Sequence, residues 1–470
     1  MSSCVSSNVD TLAVQLSTQV KESLVSENHI NDRPLTVLVG AGVVGTAIAN
    51  SCMRAGLPFV LVDQRQSQLR VAVEELRREF AATQTWELRT HGITLQDVAA
   101  ISESLDYNSP GDHLKAKSAV DLDRLGPQVH FLPVNRAVTS SQPPIIIESI
   151  SERLEIKQDF FRLAQSIFGS SAVYCSNTSN LQIRQIARGL DFPDRLCGMH
   201  FFMPVHSRSA VEIATGLSTD RETIQQAILQ VKRLNKQPLR VSDSPGFIVN
   251  RLLSPYLNEA MLLLCRGVSS EIIQRAAKRY GMPISPLELI DWIGTRTAFD
   301  AGRVFWRAFP KRLCPAPLLP ALVKNQRRGR FAGGGFYDYF EGMRSDGLST
   351  DAEELIKHYQ TAQLQLTEQE VLMLLAVPMW IEATLARLDG VIHSTSELDL
   401  AMRGGLGFES ELSWSTFFDQ IGSRSILKAI DKWASLTPAM DAPQFVMNRL
   451  RSMSPSQVID LGRQRPAHVA

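Results

Sequence analysis

The chain has 470 residues, with 49 lysines and arginines against 48 aspartates and glutamates, for a formal net charge of +1. That balance excludes a global field drawing it to nucleic acid or to an anionic membrane. With 44% hydrophobic and 21% charged residues, the composition is that of an ordinary globular chain, long enough for roughly two to four domains. The basic run "NQRRGR" (325–330) is short and reads as a solvated loop.

Residues 1–33 are polar and Ser-rich and read as a flexible tail with one short helix, Thr11–Leu24. They lack a basic stretch leading into an apolar run, so they do not read as a secretory signal. No stretch of about 18 uninterrupted apolar residues occurs, which predicts no membrane span. Cys4, Cys52, Cys175, Cys197, Cys265 and Cys314 are scattered, with no zinc-ligand spacing. Scattered thiols suggest a reducing, cytoplasmic compartment.

From Thr36 the pattern is strand ("TVLV"), Gly-rich turn ("GAGVVG"), helix ending at Gly56, and strand ("PFVLVD"), which is one βαβ unit. "LRVAVEELRREFAATQ" follows as an amphipathic helix. Residues 85–125 read as a loop or helical arm. Strands return at 129–134, 144–149, 172–177, 196–202 and 238–243, with helices "ERLEIKQDFFRLAQSIF" and "DRETIQQAILQVKRLNK" between them. The alternation predicts a doubly wound, mainly parallel sheet over 34–242.

Gly40, Gly42 and Gly45 form G-x-G-x-x-G between a strand and a helix, upstream of Asp63 at the end of the next strand. In that context the pattern is a dinucleotide fingerprint. Gly40 permits the tight turn, Gly42 the approach of a pyrophosphate, and Gly45 close helix–sheet packing. The helix start at Val43 and Val44 turns free N–H groups toward the phosphates. Asp63 suits an unphosphorylated ribose and would repel a 2′-phosphate, so NAD(H) is favoured, a preference that Arg65 weakens slightly.

After "DSPG" (243–246) strands disappear, and the helical remainder repeats itself. "SPYLNEAMLLLCRGV" (254–268) aligns with "VPMWIEATLARLDGV" (377–391), matching Pro255, Glu259, Ala260, Gly267 and Val268 to Pro378, Glu382, Ala383, Gly390 and Val391. Asp291, Ile293 and Gly294 then match Asp419, Ile421 and Gly422. Two matches in order argue a duplicated helical domain. The expected organisation is an α/β Rossmann-type NAD-binding domain followed by two duplicated all-α domains: a tail over 1–33, the NAD-binding domain over 34–242, and helical domains over 243–345 and 346–470. Asp291 and Asp419 read as structural caps.

"SNTSNLQI" (176–183), "GMHFFMPVH" (198–206), "VEI" (211–213) and "SPGFIVNRLL" (244–253), in that order, resemble the 3-hydroxyacyl-CoA dehydrogenase family of fatty-acid β-oxidation. The likeness runs from Thr36 to Tyr339 and into the second helical repeat. It is to the dehydrogenase half of the multifunctional fatty-oxidation α-subunit, without the enoyl-CoA hydratase half. The resemblance implies His200 as the catalytic histidine and Glu212 as its acidic partner. It implies Ser179 and Asn250 at the substrate oxygen, Asp63 at the adenosine ribose, and Glu152, Lys157 and Asn177 near the nicotinamide end of the cofactor. It also implies an acyl-CoA substrate and, by analogy alone, a thiolase partner. Single-repeat relatives dimerise through their helical domain; here the second repeat would cover that surface, giving a monomer with an internal pseudo-dimer.

The residue types suit the chemistry. Oxidising a secondary alcohol sends a hydride to the nicotinamide and a proton to a base. Imidazole suits the base because it titrates near neutral pH. A carboxylate on its other nitrogen fixes the tautomer and stabilises the imidazolium. Plainer readings stand beside each assignment: His200 as a core histidine, Ser179 as an N-cap of the following helix, Asn250 as a turn residue, Glu152 and Lys157 as surface charges. His200 and His206 lack a third ligand, so no metal is expected. Met203 stands where the family usually has Asn, and Phe331 where relatives commonly have a cofactor-binding lysine. "GLGFESELSW" (405–414) replaces a proline-containing segment. Two alternatives therefore stay open: a dehydrogenase for another 3-hydroxy acid such as a sugar acid, and a catalytically impaired binding or structural paralogue. The residues contacting CoA, expected within 64–142, are not assigned.

Overall fold

The computed structural model describes residues 34–80, 86–91, 128–133 and 142–461. The expected N-terminal helix, the arm beyond residue 91 and most of the CoA-contacting region lie outside the described residues. The chain divides into two compact units. The first holds the chain up to Thr178 together with Ile183–Pro238; the second holds Ser179–Gln182 and the chain from Leu239 onward.

The first unit is built on a sheet whose neighbouring strands run β3-β4-β2-β1-β5-β6-β7-β8. The strands are β1 (Thr36–Val39), β2 (Phe59–Val62), β3 (Trp86–His91), β4 (Gln128–Pro133), β5 (Ile145–Glu148), β6 (Val173–Ser176), β7 (Leu196–Phe201) and β8 (Ala210–Thr215). Helices α1 (Val43–Ala55), α2 (Gln66–Phe80), α3 (Leu154–Phe168), the single turn α4 (Ile183–Ile186) and α5 (Arg221–Arg233) connect them. A last strand, β9 (Gln237–Ser242), joins the edge where Gln237 N–H donates to Ser209 O, 2.7 Å. The unit boundary falls inside β9, four residues before the expected break at 242/243.

The centre of the sheet is parallel, as the alternation of strands and helices predicts: β2, β1, β5, β6 and β7 pair in parallel register. Its ends are not. β4 pairs antiparallel with β2 and β3, and β8 pairs antiparallel with β7. Two strands were not anticipated. Trp86–His91 lies in the stretch expected to be loop or arm, and Ala210–Thr215 appears in the sequence only as a short motif. "WELRTH" and "AVEIAT" are brief and carry charges, so neither has the long apolar run of a central parallel strand. The central strands are buried except at Val62, and Leu38, Phe59, Leu61, Ile145, Ile147, Val173, Met199 and Ile213 form one core with Ile48 of α1.

The helical part of the second unit is centred on α6 (Val249–Cys265) and α12 (Glu368–Leu388), which pack against each other. Each contains a proline, Pro255 or Pro378, and four residues on a buried glutamate, Glu259 or Glu382. Each is followed by a left-handed glycine, Gly267 (φ 78°) or Gly390 (φ 74°). Next come Ser-capped helices: α7 (Ser270–Tyr280) after Ser269, and α13 (Thr395–Leu400) after Ser394, the latter running into a π-helical turn, Ala401–Leu406. Eight-residue helices follow, α8 (Pro286–Ile293) capped by Ser285 and α14 (Trp414–Ile421) capped by Ser413. Each ends at a glycine that opens the next helix: Gly294 (φ 89°, ψ 131°) before α9 (Thr295–Ala308), and Gly422 (φ 80°, ψ 145°) before α15 (Ser423–Trp433). Asp291 accepts the N–H groups of Phe336 and Tyr337 at 2.8 and 2.9 Å, and Asp419 accepts that of Ser456 at 2.9 Å. Asp291 ties down a distant loop, and Asp419 the first turn of the helix Pro455–Asp460. Among the described residues α12 alone is long and apolar enough to cross a bilayer. However, 83% of its apolar window is buried within the structure, as in a core helix.

Glu259 is fully buried. Its Oε1 accepts the Thr437 hydroxyl at 2.8 Å, while Arg266 Nη1 stands 3.9 Å from Oε2, which has no hydrogen-bond partner. Burial pushes its carboxyl up from 4.5 to about 7, against the Thr437 hydrogen bond and the Arg266 charge, which pull it down. The folded state thus holds a proton that the unfolded chain releases near its ordinary value. This contribution to stability is complete below about pH 4.5 and is lost as pH rises through about 7. In urea titrations we expect Glu259 to account for roughly 2–3 kcal/mol of lost stability between about pH 5 and 8. Glu259→Gln should flatten that part of the slope; an unaltered slope would mean that Glu259 ionises as in water.

Candidate active site

Strands β1, β2, β5 and β6 are parallel, so their C-terminal ends share one edge of the sheet, the edge where such folds hold ligands. The Gly-rich turn leaves β1 there. Gly40 takes φ 104°, and a Cβ on it would lie 2.4 Å from Ser149 O. A Cβ on Gly45 would lie 1.8 Å from Gly40 O. A Cβ on Gly42 would meet nothing within 4 Å. Gly40 and Gly45 are therefore demanded by the protein's own packing, whereas Gly42 borders open space. Gly42 caps α1 with no side-chain hydrogen bond, so the first-turn N–H groups of Val43, Val44 and Gly45 are left for an anion.

Asp63 follows β2 and is 8% exposed. Its Oδ2 accepts Ala41 N–H at 2.9 Å and its Oδ1 accepts Arg65 N–H at 2.8 Å. The carboxylate is thus locked beneath the glycine turn, and each oxygen retains a lone pair for a ribose hydroxyl. The exposed Arg65 side chain stands 3.6 Å from Oδ1. Open space at Gly42, uncapped N–H groups and a fixed carboxylate together fit an adenine dinucleotide.

At the ends of β5 and β6 lies a polar chain that joins Glu152 and Lys157 to Glu148, a residue the sequence did not single out. Glu148, fully buried, accepts Lys157 Nζ at 2.6 Å, Ile150 N–H at 2.7 Å and the Ser176 hydroxyl at 2.7 Å. Lys157 also stands 3.4 Å from Glu152, which accepts the Thr178 hydroxyl at 2.6 Å. Lys157 is 1% exposed, so it is not a surface helix charge. A glutamate closing the apolar run "PIIIE" was the available signal: a buried charge needs a partner. Asn177 accepts Phe201 N–H at 2.9 Å and donates to Ser149 Oγ at 3.1 Å, tying β7 to the loop after β5.

His200 and Glu212 face each other across the antiparallel β7–β8 pair. His200 Nδ1 lies 2.6 Å from Glu212 Oε2; Glu212 is fully buried and His200 is 5% exposed. Phe202 meets the imidazole edge to face, with centroids 4.9 Å apart. Nearby, the buried Lys236 donates to Val205 O and Arg208 O at 2.5 and 2.6 Å, anchoring the loop after β7. Met203, in that loop, is 44% exposed.

In the second unit Asn250, the second residue of α6, donates its Nδ2 to Ser179 O at 3.0 Å. The structure thus joins these two candidates with each other, as it joins His200 with Glu212. Ser179 does not cap the following helix, which begins only at Ile183. Phe331 projects from a 3-10 turn, Arg330–Ala332, and is 81% exposed.

Residues 36–113 and 130–244 match the family model "3-hydroxyacyl-CoA dehydrogenase, NAD binding domain", and residues 246–339 match the model of the same family's C-terminal domain. NAD is thus the dinucleotide of the first unit. Over 431 residues the chain is 27% identical to the fatty acid oxidation complex subunit alpha of Psychrobacter sp. (strain PRwf-1), covering 90% of this chain and 55% of the relative. The same subunit of Psychrobacter arcticus matches equally, so the chain spans about half the length of these relatives. Among solved structures, 3-hydroxybutyryl-CoA dehydrogenase from Escherichia coli K12 shares the fold with a TM-score of 0.62 at 22% identity, over 92% of this chain and 98% of that one. The dehydrogenase part of multifunctional enzyme 1 from C. elegans does so with a TM-score of 0.55 at 21% identity, over 90% and 89%. With both of the family's domain models matched in order across more than half of its length, the chain belongs to the 3-hydroxyacyl-CoA dehydrogenase family.

Proposed function

We propose that the chain interconverts (S)-3-hydroxyacyl-CoA and 3-oxoacyl-CoA with NAD as hydride acceptor, within fatty-acid oxidation. The observation that carries the reading is the 2.6 Å contact of His200 Nδ1 with the fully buried Glu212. Bound NAD supplies the nicotinamide that takes the hydride. Proton movement falls to the protein. Glu212, accepting from Nδ1, fixes the tautomer in which Nε2 receives the hydroxyl proton, and it stabilises the imidazolium that results. In the reverse direction the same nitrogen returns the proton. Ser179 and Asn250 are assigned to the substrate oxygen. One Asn250 N–H is committed to Ser179 O, which orients the amide, and the other is the donor for developing negative charge. Val43, Val44 and Gly45 take the pyrophosphate, Asp63 the adenosine ribose, and Glu152, Lys157 and Asn177 the nicotinamide end.

The paired caps and glycines of the helical unit favour two duplicated all-α domains, 243–345 and 346–470, each half burying the other's central helix. On this reading the chain is a monomer with an internal pseudo-dimer, and sedimentation should give a single-chain mass; an obligate dimer through residues 254–300 would refute it. The five described cysteines are free, Cys175 and Cys197 with their sulfurs only 3.7 Å apart, in keeping with a cytoplasmic setting.

Acetoacetyl-CoA with NADH tests the reaction: NADH should be consumed. Turnover of a free hydroxy acid alone would point to the sugar-acid type of dehydrogenase; no turnover and no NAD-induced thermal shift would point to a non-enzymatic paralogue. His200→Ala should lower kcat about 10²–10⁴-fold with NAD binding retained, and an active His200→Ala variant would remove the assignment. The glycine turn offers a sharper contrast. Gly42→Ala should leave the free protein's Tm nearly unchanged yet abolish its rise with NAD. Gly45→Ala should lower Tm without any ligand, because its Cβ collides with backbone. Equal behaviour of the two variants would contradict the assigned pyrophosphate position.

A further inference from the structure

We infer that Glu382, far along the chain in α12, is a positioning residue for Asn250, acting through Arg251; the inference rests on the reaction proposed above. Arg251 is 1% exposed and uses all three guanidinium nitrogens. Nε donates to Glu382 Oε1 at 2.6 Å, Nη2 to Asp389 Oδ2 at 3.0 Å, and Nη1 to Ser244 Oγ at 3.3 Å. Arg312 closes the cluster, donating through Nη1 to both oxygens of Glu382 at 2.8 and 3.1 Å. The guanidinium carbons of Arg251 and Arg312 lie 4.6 and 4.3 Å from the centroid of Phe309. Two cations and two carboxylates are thus fixed by fork-like bonds and by an aromatic ring.

This cluster grips the entry to α6. Ser244 belongs to the turn before the helix. Upstream, Ser242 donates its N–H to Val391 O at 2.9 Å and its hydroxyl to Gly390 O at 2.8 Å. The end of α12 and the residues after it therefore hold the chain from Ser242 to Arg251. Asn250 sits inside that grip, one residue before Arg251, and reaches Ser179 O. A shift of Arg251 would carry Asn250 with it.

The equivalent contact of the two central helices supplies a control. Arg251 lies four residues before Pro255; four residues before Pro378 stands Leu374, preceded by Met373 where Asn250 would be. The matching glutamate, Glu259 of α6, accepts from the neutral Thr437 and Asn258, and Arg266 is 3.9 Å away. Helix pairing alone is therefore achieved without the four-charge cluster. The cluster forms where the start of α6, which carries Asn250, meets Glu382 of α12.

The test uses the full chain with acetoacetyl-CoA and NADH. Glu382→Gln should lower kcat about tenfold while KM for NADH stays within about twofold. Glu382→Asp, which keeps the charge, should recover most of that loss. Asn250→Ala should cost much less on the Glu382→Gln background than alone, because both act through one interaction. Amide exchange should quicken at 176–182 and 244–253 in Glu382→Gln, and not in the surface control Arg303→Gln. Unchanged kcat, multiplicative effects of the two substitutions, or a fall in Tm with kcat intact would overturn the inference. If the unaltered chain turns over nothing, the proposed reaction fails, and exchange then decides the positioning: slower protection loss at 176–182 in the control supports it, and equal exchange overturns it.

Discussion

The active-site reading depends on one short contact between an imidazole and a carboxylate that is wholly removed from water. A buried, unpartnered carboxylate is costly, and the effective penalty for burying an ion amounts to several kcal/mol. Glu212 meets that requirement with His200 at 2.6 Å. The partner is dictated by strand geometry. In the β7–β8 register His200 lies opposite Glu212, and residues directly opposite on a sheet point to the same face. Had β8 slipped by one residue, Glu212 would have turned to the other face.

A second constraint is shared by the polar groups along the strand ends. Glu148, Lys157, Glu152, Ser176 and Thr178 form a continuous chain of charge-assisted bonds, and Asp63 is held by two backbone N–H groups. Such groups are pre-oriented, so little reorganisation is needed when charge appears nearby. The helical unit applies the same device at the start of α6, where Arg251 is satisfied on every nitrogen. Breaking one member of such a network costs more than its pairwise bond, because the remaining charge stays buried.

The two halves of the helical unit share their scaffold and differ in their chemistry. Proline, glutamate, left-handed glycine, serine cap and helix-opening glycine recur in order. Each has a backbone or capping reason that is independent of substrate. The electrostatics around the central glutamates diverge. Glu382 faces two arginines and Glu259 mostly neutral donors, while burial raises both carboxyls, that of Glu259 to about 7. A recurring set of caps and glycines therefore does not imply a recurring role.

Much of this was legible in the chain itself. The βαβ start, the G-x-G-x-x-G turn and Asp63 depend on local spacing, and α1 ends at Gly56 as its left-handed conformation (φ 66°) requires. The helical matches at Pro255, Glu259, Gly267, Asp291 and Gly294 were also local. Glu148 escaped notice because nothing in "PIIIE" says which lysine will reach it. Strands Trp86–His91 and Ala210–Thr215 escaped because short, charged segments become strands only when a neighbour offers its edge. Sequence by itself determined the residue types, the turn chemistry and the family's order of motifs, since these depend on neighbours along the chain. Tertiary structure alone decided strand direction, the pairing of Arg251 with Glu382, and the depth at which Lys157 lies. Those depend on register and burial between segments 9 to 131 residues apart, which no local pattern encodes.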